Sequence, residues 1–368
     1  MGVCSDAGGD VECGAWLPTY RVARMADSTT LHPHSSAIAT AQGTVVSVAP
    51  MMDCTDRFDR YFLRLMSRRT LLFTEMLTAN AVIHGDRSKL LAHHLDEHPV
   101  ALQLGGADPK LMAESAAIGE DFGYDEINMN VGCPSDRVQA GRFGACLMAE
   151  PSTVAECVNA MSVATGVPVT VKCRIGVDEH DSFEALVAFV EQVVAAGCKH
   201  LYVHARKAWL KGLSPKENRE IPPLKYDVVA RLKPLFPSLP ISLNGGIETL
   251  DEAEQHLRTF DGVMIGRAAY RNPYLLAEVD QRLYGDSWSP GSREEVVERM
   301  LPFIEEQLRE GVRLGTISRH MVGLFLGQPG AKSWRRHISE NAHRPGAGTD
   351  VLIEALQKVA AATPAVAA

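Results

Sequence analysis

The chain has 368 residues, of which 46% are hydrophobic, 22% are charged and 6% are aromatic. This is the composition of an ordinary globular protein, and it excludes a disordered, collagen-like or coiled-coil chain. No apolar run approaches the roughly 18 residues that a membrane-spanning helix needs. The first residues lack the basic segment and the apolar core of a signal peptide, so we expect a cytoplasmic protein with no membrane partner.

The eight cysteines form no C-x-x-C pair and no zinc-type spacing with histidine. The sequence therefore predicts no metal site, and reduced thiols rather than a disulfide framework.

The net charge of −8 is unevenly distributed along the chain. Five basic residues and one acid lie between His204 and Arg219, and five basic residues without an acid lie between Val312 and Ile338. The acidic total argues against a nonspecific nucleic-acid binder. Two basic segments on an acidic body are a more specific signal, since they are suited to contacts with phosphate groups.

Residues 1–42 show no clear hydrophobic period, and we interpret them as a flexible N-terminal extension. Short apolar runs then alternate with longer stretches of helical periodicity. The eight runs begin at Thr44, Thr70, Pro99, Tyr124, Val167, His200, Pro240 and Phe260.

These alternating units predict an α/β fold of the (β/α)8 TIM-barrel type over residues 43–286. The units repeat roughly every 31 residues, and a strand with its crossover helix needs about 30. A doubly wound open sheet is the structural alternative, but it usually has fewer strands and a G-x-G-x-x-G turn after the first. In this chain the first run ends in Ala49-Pro-Met-Met.

Helix signals are readable both within and after the barrel segment. Pro109 and Pro151 mark helix starts, and Gly197 marks a helix end. A capping box at Ser292–Glu295 predicts a helix that ends near Gly311. Further helices are expected over 316–326, 331–341 and 349–362, so residues 287–362 form a C-terminal helical-bundle domain, and 363–368 a disordered tail.

Function in a (β/α)8 barrel collects at the carboxyl ends of the strands. The polar or unusual residues predicted there are Pro50, Met51, Met52, Gln103, Asn128, Asn130, Cys133, Lys172, Arg174, His204 and Asn244. Gly245 and Gly246 follow the seventh run, and Gly266 and Arg267 follow the eighth. Barrels recurrently bind phosphate at these two ends, so we expect a phosphate site with Arg267 as a bidentate donor.

Lys172 lies within an apolar run, and a lysine buried in a barrel is unfavourable unless an anion accompanies it. A reduced flavin, which is anionic at its N1/O2 edge, is one such partner. A Schiff-base lysine, as in aldolases, is the alternative. Gln103, His204 and Asn244 suit hydrogen bonds around a flavin and would have no role in an aldolase, so the flavin is favoured.

Cys133 differs from the other cysteines because it lies just past a strand end, in a loop rich in glycine and arginine. Most cysteines in such a chain are packed core residues. The loop position predicts partial exposure, and a thiol that is mostly protonated near neutral pH is able to act as a general acid.

Several motifs together resemble the tRNA-dihydrouridine synthase family, A-type. The motifs are Ala49-Pro-Met-Met-Asp53, Asn128-Met-Asn-Val-Gly-Cys-Pro-Ser135, Val171-Lys-Cys-Arg-Ile-Gly176, His204-Ala-Arg-Lys-Ala-Trp209, Leu213-Ser-Pro-Lys-Glu-Asn-Arg219 and Asn244-Gly-Gly246. The likeness extends from about Val45 to Ile338. It implies an FMN-binding barrel followed by a helical tRNA-binding domain, with NADPH or NADH as the reductant.

By this resemblance, Cys133 is the catalytic acid and Asn130 lies near the target base. The implied FMN contacts are Pro50, Met51, Met52, Gln103, Lys172, His204, Asn244, Gly245, Gly246, Gly266 and Arg267. The implied tRNA contacts are Lys216, Arg219, Lys332 and Arg335. The expected reaction is reduction of the C5=C6 bond of a D-loop uridine, at positions 20 and 20a. We infer no obligate protein partner.

Two other functions remain open at this point. A free-pyrimidine reductase resembling dihydroorotate dehydrogenase would share the FMN and the loop acid, but would not need the C-terminal helices or the basic segments. An RNA-binding module on an inactive barrel would tolerate the loss of Lys172 or Cys133, and both residues are present.

Overall fold

The computed structural model describes residues 45–135 and 141–362. The predicted extension over 1–42 and the predicted tail over 363–368 lie outside the described residues. Within those residues, one sheet contains β1 (Val45–Val48), β2 (Leu72–Phe73), β3 (Leu77–Thr78), β4 (Val100–Gly105), β5 (Glu126–Val131), β6 (Val169–Arg174), β7 (Leu201–His204), β8 (Ile241–Asn244) and β9 (Gly262–Ile265).

The sheet closes into a parallel barrel. Neighbouring strands follow the order β1-β9-β8-β7-β6-β5-β4-β2, and β3 also pairs with β4. Leu71 joins the two ends of this order, because its N–H donates to the Val46 carbonyl at 2.9 Å and its carbonyl accepts from Val48 N–H at 3.0 Å. The predicted (β/α)8 barrel is therefore confirmed.

Helices alternate with the strands as the periodicity predicts. The barrel segment contains α1 (Arg57–Arg64), α2 (Ala79–His84), α3 (Arg87–Leu90), α4 (Pro109–Asp121), α5 (Pro151–Ala164), α6 (Phe183–Ala195), α7 (Tyr226–Ala230), α8 (Leu250–Leu257), α9 (Arg267–Arg271) and α10 (Val279–Tyr284). The starts predicted at Pro109 and Pro151 are confirmed. Gly197 follows α6 at a φ of +107°, a conformation that favours glycine and ends the helix as predicted.

Side chains fill the interior of the barrel. The apolar part of this inner core consists of Val45, Ala49, Leu71, Phe73, Ala101, Tyr202 and Met264. On β5 the alternate residues Glu126, Asn128 and Asn130 are polar and buried. Since alternate residues of a strand share one face, these three side chains lie at successive levels between the two ends of the barrel.

Four more helices follow the barrel: α11 (Arg293–Arg309), α12 (Leu314–Ser318), α13 (Ala331–Asn341) and α14 (Asp350–Ala362). They share one apolar cluster with barrel residues, and the Phe303 ring stacks on Tyr61 with 3.8 Å between centroids. The Asp56 carboxylate, in the loop after β1, accepts from Arg319 at 2.6 Å and lies 3.1 Å from His320 Nε2. These contacts hold the C-terminal helices beside the carboxyl end of β1.

The capping box at Ser292–Glu295 is present, and α11, with 17 residues, is the longest of the described helices. No helix in the described ranges combines the length and the apolar character needed to cross a bilayer.

Two predicted elements differ in the structure. The run from Thr70 forms two short strands, and between them the Gln103 N–H donates to the Thr74 hydroxyl at 3.0 Å rather than to a backbone carbonyl. The helix predicted over 316–326 is replaced by α12 and a 3-10 turn over Met321–Gly323. α12 ends at Ser318, and the 3-10 turn that follows packs closely against the barrel segment, since a Cβ on Gly323 would lie 2.3 Å from the Arg271 carbonyl oxygen.

Candidate active site

The carboxyl ends of the strands bring the predicted polar residues to one opening, which we call the barrel mouth. The strand register pairs Asn130 with Lys172 on β5 and β6, and Arg174 with His204 on β6 and β7. The next pair is His204 with Asn244. Residues that are far apart in the sequence therefore lie side by side at the mouth.

Lys172 carries a positive charge into the barrel mouth. Its Nζ donates to Asn244 Oδ1 at 3.1 Å, and none of the described ion pairs with a carboxylate includes it. Burial and, to a smaller extent, repulsion from Arg174 lower the pKa of Lys172 to about 8. An ammonium in this environment favours an anionic ligand, since desolvation without a counter-charge destabilises it.

His204 lies beside these cations and is neutral at physiological pH. Burial and, to a smaller extent, the positive charges of Arg174 and Lys172 lower the pKa of His204 well below its usual range. Neutral imidazole offers one N–H donor and one acceptor. His204 thus presents a hydrogen-bonding ring at the mouth without adding a third positive charge.

Cys133 lies two residues past β5 in the segment 132–135, which we call the thiol loop. Asn130 Oδ1 accepts the N–H groups of Gly132 and Cys133 at 3.1 and 3.0 Å. The thiol donates to Ser135 Oγ at 3.5 Å, and the Cys133 carbonyl accepts from Ala145 N–H at 2.9 Å. Cys133 is half-buried, as the loop position predicts, and its backbone is anchored on both sides.

Gln103 lies between two of the buried amides. Asn130 Nδ2 donates to Gln103 Oε1, and Gln103 Nε2 donates to Asn128 Oδ1, both at 2.8 Å. All three side chains are buried. Their mutual bonds fix which edge of each amide faces the mouth.

Arg174 lies at the same end of β6, and no role for it follows from the sequence motifs. It is 3% exposed; its Nε donates to the Gly132 carbonyl at 2.9 Å, and its Nη1 donates to the Asn218 and Lys207 carbonyls at 3.0 and 3.2 Å. Burial lowers the pKa of Arg174 to about 10. Arg174 thereby joins the thiol loop to the segment 206–219. The strand alternation from Lys172 was the signal that it points inward.

The ends of β8 and β9 form the predicted phosphate region. Gly245 and Gly246 have φ of +112° and +76°, conformations that favour glycine. Arg267 Nη1 pairs with Glu220 Oε1 at 2.8 Å, so its guanidinium turns toward the segment 206–220. Arg206 lies nearby, and its buried Nε has no hydrogen-bond partner among the described residues. In the sequence, Arg206 is recognisable only as part of a basic segment.

The loop after β1 completes the mouth. Met51 is half-buried; its N–H donates to Thr55 Oγ1 at 3.1 Å and its carbonyl accepts from Thr55 N–H at 3.0 Å. Pro50 is half-buried, and the Met52 side chain is 55% exposed. Gly266 lies across from this loop, since a Cβ there would be 3.9 Å from that of Ala49.

Lys216 and Arg219 are exposed on the segment 206–219. Asn218 between them is fully buried, and its side chain donates to the carbonyls of Trp209 and Leu213 and accepts from Trp209 N–H. The segment is therefore a folded loop whose two basic side chains project into solvent.

Lys332 and Arg335 are exposed on α13. They are three residues apart, so they lie on one face of the helix, while Trp334 packs into the apolar cluster. Arg336 is also exposed but pairs with Glu340 at 2.8 Å. The two predicted residues lie on the C-terminal helices rather than at the barrel mouth.

The residues of the mouth fit a phosphorylated flavin. A half-buried ammonium that has no carboxylate partner among the described residues suits the anionic edge of a reduced isoalloxazine. A Cβ on Gly245 would lie 2.6 Å from His204 Cδ2, and one on Gly246 would lie 2.6 Å from the Tyr226 hydroxyl, so only glycine fits at these two positions of the predicted phosphate end. The buried Nε of Arg206 adds an unused donor in this region.

The barrel is similar to that of a solved structure of 2-naphthoyl-CoA reductase in complex with 2-naphthoyl-CoA. The TM-score is 0.51 with 11% sequence identity, and the likeness covers 64% of this chain and 50% of that chain. At this identity the comparison shows the fold alone.

Sequence comparison identifies much closer relatives. The chain is 59% identical to a protein of Shewanella oneidensis over 313 residues, which cover 85% of this chain and 93% of the relative. It is 60% identical to a protein of Synechocystis over 312 residues (85% and 93%) and 58% identical to one of Escherichia coli K12 over 315 residues (85% and 91%). All three relatives are named tRNA-dihydrouridine(20/20a) synthase. The sequence profile of dihydrouridine synthase matches residues 47–361, and the chain therefore belongs to the dihydrouridine synthase family.

Proposed function

We propose that this chain reduces the C5=C6 bond of D-loop uridines 20 and 20a in tRNA, in the cytoplasm, with FMN as cofactor and NADPH as reductant. Membership of the family and the names of its relatives support the reaction and the substrate. The observation that carries the proposal is the placement of Lys172 and Cys133 at one mouth, since Lys172 pairs in register with Asn130 on the neighbouring strand β5 and Cys133 lies two residues past the end of that strand.

The proposed flavin contacts line the mouth on three sides. Lys172, Gln103, His204 and Asn244 would face the isoalloxazine, and Pro50, Met51 and Met52 would cover its β1 side. Gly245, Gly246, Gly266 and Arg267 would hold the phosphate, for which Arg267 must exchange its pairing with Glu220. When bound among these residues, reduced FMN would supply the hydride for C6 of the uracil.

Cys133 is proposed to donate the matching proton. When C6 of uracil gains a hydride, C5 becomes enolate-like because it is conjugated to the C4 carbonyl, and the Cys133 thiol gives its proton to C5. The protein thereby transfers H⁻ and H⁺ to one double bond, and the thiolate recovers its proton from solvent. Asn130 would contact the base through its second amide hydrogen, since its other polar atoms are engaged.

The base must leave the tRNA stack to reach this site, which costs a few kcal/mol and less in a loop than in a duplex. Lys216 and Arg219 beside the mouth, with Lys332 and Arg335 on α13, would hold tRNA phosphates and offset this cost. Under this proposal residues 43–286 form the FMN-binding domain and 287–362 the tRNA-binding domain.

The decisive experiment is incubation of tRNA lacking dihydrouridine with the purified protein and NADPH, followed by site-resolved mass analysis. A gain of two hydrogens at positions 20 and 20a is expected. Free uridine serves as the comparison oxidant, since a free-pyrimidine reductase would reduce it equally well. A colourless protein that does not retain added FMN would contradict the proposal.

Cys133→Ala tests the proton donor. The variant is expected to bind FMN normally but to reduce tRNA at least a hundredfold more slowly, because general acid catalysis contributes about 10²–10⁴-fold. Cys146→Ala is the matched control; Cys146 is half-buried nearby, and its thiol donates to the Phe143 carbonyl at 3.2 Å. Equal turnover of the two variants would remove Cys133 from the mechanism.

A further inference from the structure

A continuous chain of hydrogen bonds runs through the barrel from the level of Glu126 to the thiol loop. Asn130 Nδ2 donates to Gln103 Oε1, Gln103 Nε2 donates to Asn128 Oδ1, and Asn128 Nδ2 donates to Thr170 Oγ1, each at 2.8 Å. The Thr170 hydroxyl then donates to Glu126 Oε1 at 2.5 Å. All five side chains are buried.

Every bond in this chain points in the same direction, toward the Glu126 carboxyl. Glu126 Oε1 accepts from Thr170, and Oε2 accepts from the Tyr202 hydroxyl at 3.1 Å. Burial raises the pKa of Glu126 to about 7, so both ionisation states are relevant. In the protonated state Oε2 donates to Tyr202 while Oε1 still accepts, so the direction of the chain is the same in either state.

The direction of the chain decides how the Asn130 amide is oriented. Asn130 directs Oδ1 toward the N–H groups of Gly132 and Cys133. A flipped Asn130 would direct its NH2 group at two backbone donors, and both would lose their acceptor. Each amide along this chain of hydrogen bonds is held in the same way. If one amide flipped, its NH2 group would face the NH2 group of its neighbour, and its carbonyl oxygen would face an acceptor.

We propose that Glu126, acting through Thr170, Asn128, Gln103 and Asn130, is a positioning residue that holds the thiol loop in its reactive geometry. The inference deepens the proposed function, since it rests on Cys133 being the proton donor. Glu126 touches no part of the mouth itself; it serves as the terminal acceptor that gives the chain its direction.

Thr170→Val is the sharpest test, because it removes the hydroxyl that connects Asn128 to Glu126 and leaves the side-chain volume nearly unchanged. Thr170→Ser restores the hydroxyl and is the conservative rescue. Ser242→Ala is the matched control. Ser242 is fully buried on β8, and its hydroxyl forms a hydrogen bond with His200 Nε2 at 2.8 Å that is not part of the hydrogen-bond chain. Each variant is measured as the purified full-length protein.

The main readout is hydrogen–deuterium exchange at the Gly132 and Cys133 amides, with the rate of iodoacetamide alkylation at Cys133 as a second measure. In Thr170→Val we expect about tenfold faster exchange at these amides and an altered alkylation rate, with wild-type values in Thr170→Ser. Ser242→Ala should leave both measures unchanged.

The result that overturns the proposal is wild-type exchange at Gly132 and Cys133 in Thr170→Val. An equal acceleration in Ser242→Ala would also overturn it, since a general loss of stability would then explain the effect. Neither outcome depends on turnover. If Cys133→Ala shows that Cys133 is not the proton donor, that result therefore remains separate from the test of the hydrogen-bond chain.

Discussion

Replacing Lys172 by methionine is expected to stabilise the flavin-free protein while weakening its affinity for FMN. Lys172 is a charged group in the barrel interior whose described hydrogen-bond partner is the neutral amide of Asn244. Methionine has a similar length and no charge, so it removes the desolvation penalty. With FMN bound, the same charge is compensated by the anionic flavin, and its loss then weakens binding.

The size of the effect follows from the pKa of Lys172, which burial lowers from 10.5 to about 8. One pKa unit corresponds to about 1.4 kcal/mol, so a lowering of the pKa by about 2.5 means that the charge destabilises the flavin-free fold by at most about 3.5 kcal/mol. The lost hydrogen bond to Asn244 costs about 1 kcal/mol, which leaves a net gain of at most about 2.5 kcal/mol. Because the folded pKa lies below the unfolded one, the penalty is complete below pH 8 and fades as the pH rises toward 10.5.

The assay is urea unfolding of protein stripped of flavin, at pH 7 and at pH 9.5, with FMN dissociation constants measured by fluorescence quenching. Lys172→Met should unfold at higher urea than wild type at pH 7, with a smaller gain at pH 9.5, and bind FMN at least tenfold more weakly. Lys110→Met, at an exposed position, is the control and should change neither quantity. A stripped Lys172→Met protein that is less stable than wild type at pH 7 would refute this reasoning.

Three further substitutions follow from the geometry. Gly245→Ala should cost on the order of 1–3 kcal/mol, because the φ of +112° strains an alanine and its Cβ displaces His204; unchanged FMN affinity and Tm would contradict this. Glu126→Gln keeps the acceptor for its neighbour and removes a carboxyl whose pKa burial raises from 4.5 to about 7. Because ionisation of Glu126 opposes folding of the wild type, Glu126→Gln should raise the free energy of unfolding by an amount that grows from near zero at pH 4.5 to about 3 kcal/mol at pH 8. A gain that does not change with pH would argue against this cause. Arg335→Ala should reduce the slope of log K for tRNA against log salt by about 1. Arg336→Ala, which removes a residue already paired with Glu340, should not.

Much of the fold was readable because the (β/α)8 pattern is local. Each apolar run and each helix signal spans only a few residues, and strand ends are identifiable from the polar residue that follows the run. Prolines and capping residues therefore located α4, α5 and α11 correctly. The helix predicted over 316–326 was wrong in a segment shaped by tertiary packing, since the contact between Gly323 and the Arg271 carbonyl does not follow from the sequence around Gly323.

The candidate site was only partly readable for the same reason. Lys172 and Cys133 stood out because each is unusual for its position in the chain. Arg174 and Glu126 did not, since an arginine or a glutamate at a strand position acquires meaning only from its partners. The carbonyls of Gly132 and Asn218 identify the contacts of Arg174, and neither follows from spacing.

The sequence by itself determined the class of fold, the alternation of strands and helices, and the chemical types available at the strand ends. These depend on periods of two and of 3.6 residues and on side-chain chemistry, which are properties of short segments. Only the tertiary structure decided which way each amide faces, that Arg267 pairs with Glu220, and that Glu126 is linked to the thiol loop. Such links are set by hydrogen-bond direction across neighbouring strands, and direction exists only after the barrel has closed.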